Sequence, residues 1–569
     1  MKIVSRHFAS ILPLFFISLF CVSAVHIQTT QAQSPPSAAI ATAHPFATDA
    51  GEEILRAGGN AFDAAVAITA ALAVVEPYSS GIGGGGFWLL HRAEDGKQTM
   101  IDGREVAPMS ADKDMYLDKN GNVIKGASIN GPKAAGIPGV PAGLEHLAKN
   151  YGRLPLEKSL APAIRFAEEG FPVTERYRKL TAYRLETMKS FRSTANIFLE
   201  NDQIPSLGYN IIQKDLAKTL RRIAKQGVSY FYTGALARRM TQGSRSRGGQ
   251  WSDADLANYK VIERQPVVSQ YKNLRIISAP PPSSGGIVLA QIFGMLEKFD
   301  LDALDHNQRK HVVIEAMRRA YRDRAAYLGD PDFVDISEQR LLDKNYLDGL
   351  AVTIDLDHAT PSSALGDIPI SQQTGTNTTH FSVIDKEGNR VSATLSINLP
   401  FGSGFVVPGT GVLLNNEMDD FSAKAQVPNA YGLVGDQANA IAAGKRPLSS
   451  MSPTFIETDD RVGILGTPGG SRIISMVLLG ILDFADGNLP SSWVTVPRYH
   501  HQYLPDEVQF EQGALTLNQQ RELKNRGHVL NEKNRAYGNM QAILWDKKIN
   551  KLFAASDPRG EGRALVITP

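Results

Sequence analysis

Apolar and polar positions change rhythm several times along the chain, and each change marks an element. Residues 47–56 carry apolar side chains at helical spacing and run into Gly58-Gly59-Asn60, which predicts a short helix and its stop. Residues 61–75 are almost wholly apolar and small, so a second helix is expected there, buried between layers. A glycine run, Gly81 with Gly83 to Gly86, leads into the β-like Phe87-Trp88-Leu89-Leu90. Helices are also predicted over 212–225 and 308–328, where charged and apolar residues alternate at helical spacing. The stretch from about 140 to 350 carries few clusters of chemistry-bearing residues and reads as scaffold. Past residue 350 the chain turns polar and turn-rich, as a mobile segment would be. His380–Asp385 and Arg390–Ile397 then alternate in a two-residue period around Lys386-Glu387-Gly388-Asn389, which predicts a β-hairpin. No internal repeat is present.

The glycine run has the spacing of a dinucleotide loop but the wrong context. Such a loop follows a strand and opens a helix, whereas here a helix precedes it and a strand follows. The 60 basic and 58 acidic residues nearly cancel, so charge does not call for nucleic acid or an anionic membrane, and a small soluble partner is expected. Lys2 and Arg6 precede an apolar run, residues 11–25, that is too short to span a bilayer comfortably. This predicts an export signal over 1–32, with cleavage after Ala24 or Ala32, a periplasmic or extracellular location and no membrane anchor.

Cys21, the only cysteine, lies inside that run. Its loss with the signal would exclude disulfides, thiol nucleophiles and cysteine-ligated metals together, so a nucleophile must be an oxygen. No His-Glu-x-x-His motif occurs, and His500-His501 point opposite ways on a strand, so neither metal nor cofactor is expected.

The junction Asn377-Thr378-Thr379-His380 places a hydroxyl between the polar segment and a core strand. Attack by the Thr378 hydroxyl on the Asn377 carbonyl would give an ester, and its hydrolysis would free the Thr378 α-amine beside its own hydroxyl. An α-amine titrates near pH 8, roughly two units below lysine, so one residue could supply both nucleophile and base. By itself the triplet is weak evidence and reads first as an ordinary strand start with β-branched residues.

The neighbouring motifs are more specific. Asn377–Val383, Leu414-Asn415-Asn416-Glu417-Met418-Asp419-Asp420-Phe421-Ser422, Lys445–Thr454 and Gly466-Thr467-Pro468-Gly469-Gly470-Ser471-Arg472 together resemble the γ-glutamyltransferase family, the γ-glutamyl transpeptidases or glutathione hydrolases. The resemblance spans essentially the whole chain after the leader. It implies an α+β fold, the N-terminal-nucleophile hydrolase αββα four-layer sandwich, shared by a large chain (33–377) and a small chain (378–569) that form a heterodimer after autocleavage between Asn377 and Thr378.

The same resemblance implies the site. Thr378 is the expected nucleophile, and Ser396 the hydroxyl beside it where many members have threonine. Glu417 and Asp420, with Asn398, are expected to hold the ammonium of the substrate's amino acid head. Arg104 would grip its carboxylate, helped by Ser449 and Ser450. Gly469 and Gly470 would turn backbone N–H groups on the oxyanion. Residues 426–433, with Tyr431, resemble a lid over the donor site found in some members. Glutathione and other γ-glutamyl compounds are the implied donors, with water or an amino acid or dipeptide as acceptor. Two rivals remain at this stage: a glutaryl or cephalosporin-type acylase on the same scaffold, and a non-catalytic exported γ-glutamyl-binding protein.

Overall fold

The computed structural model describes residues 1, 33–366, 378–422 and 437–568. Residues 1–34 and 35–569 are separate units, and the fold below is that of the second. The segments 2–32, 367–377 and 423–436 lie outside the described residues, and with them Cys21, Asn377 and Tyr431.

The predicted apolar helix forms over Ala61–Val75 with every residue buried, as its composition requires. Asn60 starts it: its side chain accepts from the N–H groups of Phe62 and Asp63, and the Asp63 carboxylate accepts from Asn60 N at 3.0 Å. The preceding helix spans Pro45–Arg56, and the other two expected helices span Lys214–Gln226 and His306–Tyr327.

Two antiparallel sheets form the centre. One has seven strands in the order Arg563–Ile567, Ala38–Thr42, Thr379–Ile384, Arg390–Ser396, Gly85–His91, Gln98–Gly103 and Ile262–Arg264. The other has six, in the order Lys551–Ser556, Gln541–Asp546, Arg461–Gly466, Thr454–Glu457, Leu274–Ser278 and Val267–Tyr271.

Strand alternation builds the layers. Phe381, Val383, Val391, Ala393 and Leu395 turn to one face and join the core containing the Ala61–Val75 helix. Residues of the opposite parity face the second sheet, where the Ser382 and Ser392 hydroxyls donate to the carbonyls of Gln541 and Leu465, each at 3.1 Å. Behind the second sheet, Gly285–Leu296, His306–Tyr327 and Ile473–Ala485 close a second core. The layers are therefore helix, sheet, sheet, helix, the expected αββα sandwich.

The predicted hairpin also forms, and its turn is anchored: Asp385 accepts from Glu387 N and Asn389 N, and its other oxygen accepts from Ala61 N at 2.9 Å. The glycine run packs instead of cradling phosphate. A Cβ on Gly83 would lie 2.1 Å from the Leu413 carbonyl oxygen and one on Gly84 2.2 Å from that of Ser396, so only glycine lets these backbones meet.

Candidate active site

Register places Thr378. Thr379 pairs with Leu395, and continuing the antiparallel ladder by one residue sets Thr378 opposite Ser396, at the end of the two central strands of the seven-stranded sheet. Opposed residues share a face, so both side chains open towards the space between the sheets. There they line a cleft with Arg104, Arg324, Asn398, Glu417, Asp420, Ser449, Ser450, Gly470 and Ser471. Residues separated by more than 300 positions in the chain thus share one wall-to-wall site.

Arg104 follows the strand Gln98–Gly103 and is completely buried. Its guanidinium forms ion pairs with Glu417 and with Asp420 Oδ2, the latter at 2.5 Å, and also donates to the Pro447 carbonyl at 3.1 Å. Glu417 and Asp420 lie on one short 3-10 turn, which brings both carboxylates to the same guanidinium. Burial pulls Arg104 down, but the carboxylates of Glu417, Asp420 and Glu105 outweigh it and hold the group charged. Burial pushes the Glu417 carboxyl up to about 7, Arg104 opposes that, Asp420 adds to it, and the Ser396 hydroxyl holds it down.

Asn398 sits at φ +71°, a left-handed conformation, just past the strand that ends at Ser396. The turn is held by Asn398 N donating to Ser396 Oγ at 2.8 Å and by Asn398 Nδ2 donating to the Asn416 carbonyl at 2.9 Å. This pins Ser396 to the turn carrying Glu417. Ser449 and Ser450 lie on a buried loop bound to Pro282 and Ser284. Gly470 lines the cleft, at φ +59°. Gly469, at φ +150°, lines a neighbouring cleft with Pro468, so the two glycines form a wall between them rather than a single surface.

His380, two residues after Thr378, is turned to other work. It is buried, burial lowers it to about 3, and Nδ1 meets Thr394 Oγ1 at 2.9 Å. A neutral imidazole spent between the sheets leaves the base role to another group.

The scaffold reading of residues 140–350 needs a correction. Arg324, from the helix His306–Tyr327, lines the same cleft, and Ser284 from the turn before Gly285–Leu296 supports it. That helix also carries Arg318, Arg319 and Arg322, and nothing in their spacing singles out Arg324, because which arginine faces a pocket depends on what packs against the helix. Glu105 is a second omission: its buried carboxyl lies 3.6 Å from Arg104, and burial, then Glu417, pushes it well above the usual carboxylate range.

Among the described residues, one group has metal-ligand spacing: His311, Glu315 and His528. Its donors are already engaged. Glu315 is paired with Arg319 at 2.7 Å and Arg318 at 3.1 Å, and His311 Nδ1 meets His528 Nε2 at 2.7 Å. Arg318 donates to His528 Nδ1, so the shared proton sits on His528 Nε2 and His311 Nε2–H points to the Asp355 carbonyl. His500 bonds Ser475 and Gln502, and His501 bonds Asp506 and Tyr503 N, a structural use of both.

A threonine at the end of an inner strand of an αββα sandwich, opening into a cleft lined by charged and hydroxyl side chains, places this protein among the N-terminal-nucleophile hydrolases. The chain belongs to the gamma-glutamyltranspeptidase family, whose model matches residues 47–567. The glutathione hydrolase proenzyme of Escherichia coli (strain K12) is 42% identical over 529 residues, covering 91% of this chain and 90% of that one. Of solved structures, a cephalosporin acylase from Bacillus halodurans superposes with a TM-score of 0.81 at 29% identity, covering 94% of this chain and 97% of that one. The gamma-glutamyltranspeptidase of Helicobacter pylori superposes with a TM-score of 0.56 at 40% identity over 61% of this chain and all (100%) of that one.

Proposed function

We propose that this protein is an exported, self-processing γ-glutamyl hydrolase and transferase acting on glutathione and related γ-glutamyl amides. The observation that carries the reading is the pairing of Thr378, in one cleft, with a cation and two carboxylates that match both charges of a free amino acid head. The ammonium of such a head takes the place of Arg104 beside Glu417 and Asp420, while its carboxylate meets Arg104 and the two serine hydroxyls. Ion pairs are exchanged, and the buried charges stay compensated throughout.

Processing comes first. The Thr378 hydroxyl attacks the Asn377 carbonyl, the peptide nitrogen becomes the Thr378 α-amine, and water cleaves the resulting ester. In turnover the α-amine takes the hydroxyl proton as Thr378 Oγ attacks the γ-amide carbon. Gly470 N–H stabilises the oxyanion, with Gly469 completing the turn that presents it. The amine of the departing group receives the proton, and water or an acceptor amine then resolves the acyl-enzyme. Export rests on the pattern of residues 2–32, and self-processing is supported by the proenzyme status in the relatives' printed names.

The decisive experiment is turnover of a γ-glutamyl anilide with and without glycylglycine, followed by N-terminal sequencing of the smaller band. Activity with a fragment beginning at Thr378 supports the reading, and one intact active polypeptide defeats it. An acylase would hydrolyse glutaryl anilide as fast as the γ-glutamyl compound. The carboxylate pair disfavours this, since a glutaryl group brings no ammonium to it.

pH offers a second check. Glu417 must be ionised to hold an ammonium, and its folded value of about 7 means that protons compete below that pH. Inhibition by L-glutamate should weaken about tenfold per unit as pH falls below 7 and level off above it. Glu417→Gln should flatten that limb. A wild-type profile flat from pH 5.5 to 8 would remove the ionising role of Glu417.

A further inference from the structure

Arg324 is a buried cation that the proposed chemistry leaves unused. It is 4% exposed, and among the described residues no carboxylate lies within salt-bridge distance of it. Its partners are hydroxyls: Nε donates to Ser284 Oγ at 2.9 Å and Nη2 to Ser450 Oγ at 3.1 Å. Burial lowers the guanidinium to about 10, which still leaves it charged at neutral pH. Asp420 acts on it only from beyond contact distance, and a buried cation without a carboxylate in contact gains when an anion arrives beside it.

The hydrogen-bond directions say what it does. Arginine only donates, so Ser450 Oγ accepts from Arg324 and its own single proton must point elsewhere. Ser449 Oγ likewise accepts, from Met451 N at 3.1 Å. Both residues line the cleft, so each hydroxyl, already accepting inside the protein, has its proton to offer a ligand there. Ser284 completes the support, because it accepts from Arg324 and donates to the Ser449 carbonyl at 2.8 Å. One guanidinium therefore braces the loop through Ser284 and sets the polarity of Ser450.

We infer that Arg324 is the positioning residue of the carboxylate subsite: it orients Ser450 as a hydrogen-bond donor and supplies a second positive charge, so that the site selects donors bearing an α-carboxylate. The inference rests on the reading of this cleft as a γ-glutamyl site.

Three anilides test it with the processed enzyme: γ-glutamyl, glutaryl (carboxylate kept, ammonium absent) and 4-aminobutyryl (ammonium kept, carboxylate absent). Arg324→Met should raise KM for the γ-glutamyl anilide about tenfold or more, with kcat changed by less than about threefold. The preference for γ-glutamyl over 4-aminobutyryl should fall by the same factor, while that for γ-glutamyl over glutaryl should hold. Arg324→Lys, which keeps the charge but not the two-pronged geometry, should recover part of the KM. Ser450→Ala should reproduce the selectivity change, and adding it to Arg324→Met should cost little more. Equal losses on all three anilides, or additive effects of the two substitutions, would overturn the inference. If Arg324→Met does not process, the Arg324→Lys and Ser450→Ala comparison decides alone. Wild-type enzyme without γ-glutamyl turnover would instead defeat the donor reading beneath it.

Discussion

Replacing Thr378 by alanine is expected to leave one full-length polypeptide with no measurable γ-glutamyl turnover. A methyl group cannot attack the preceding carbonyl, so the bond before residue 378 stays intact. The α-amine that would act as base remains tied up in a peptide bond. Nucleophile and base are lost in one substitution, and the rate should fall by on the order of 10⁴ or more, as when a coupled catalytic unit is disabled. Packing is little changed, because Thr378 contributes a small buried side chain at a strand end. The measurement is denaturing electrophoresis beside an anilide assay and a thermal melt. Two bands from the alanine variant would place the nucleophile elsewhere. Thr378→Ser keeps the hydroxyl and should process and turn over, more slowly.

Arg104→Met should cost more than any other single change in the binding wall. The guanidinium is the shared counter-ion of Glu417 and Asp420, and it lies beside Glu105. Removing it leaves two buried carboxyls, Glu105 and Glu417, and the partly buried Asp420 without their shared cation. Breaking a buried pair by deleting one partner destabilises by about 3–5 kcal/mol, and part of that is relieved as the acids take up protons. The expected result is a lower melting temperature that recovers partly as pH falls towards 5, together with loss of γ-glutamyl turnover at any attainable substrate concentration. Arg104→Lys should retain more stability than activity, because an ammonium can neutralise the acids but cannot bridge both of them while donating to Pro447 O. A methionine variant as stable as wild type across this pH range would show that the acids are compensated by something other than Arg104.

Much of this was legible in the chain. Composition alone made 61–75 a buried helix, since residues that are apolar on every side cannot face water. Period-two alternation around a glycine-bearing turn made 380–397 a hairpin, to within one residue at each end. The order of helix, glycines and strand excluded a nucleotide loop, and the positions of Thr378, Arg104, Glu417, Asp420, Ser449 and Ser450 followed from motif resemblance. All six line one cleft.

Other features were not local and could not be read that way. That Arg104 is held by both carboxylates, rather than simply standing opposite them, depends on a 3-10 turn meeting a strand end more than 300 residues earlier. Arg324 was passed over because its helix carries several arginines, and burial sorts them only once the second sheet and the Ser449 loop are in place. Gly469 and Gly470 are adjacent in the chain, yet Gly470 lines the cleft that holds Thr378 and Gly469 a neighbouring one.

The sequence by itself determined which segments form helices and strands and which residue types carry the chemistry, because periodicity and side-chain chemistry are properties of neighbours along the chain. Only the tertiary structure decided which charges share a counter-ion, which hydroxyls already accept a hydrogen bond and which arginine reaches the cleft. Those outcomes depend on distances and burial between residues far apart in sequence, and electrostatic energy is set by just these two quantities.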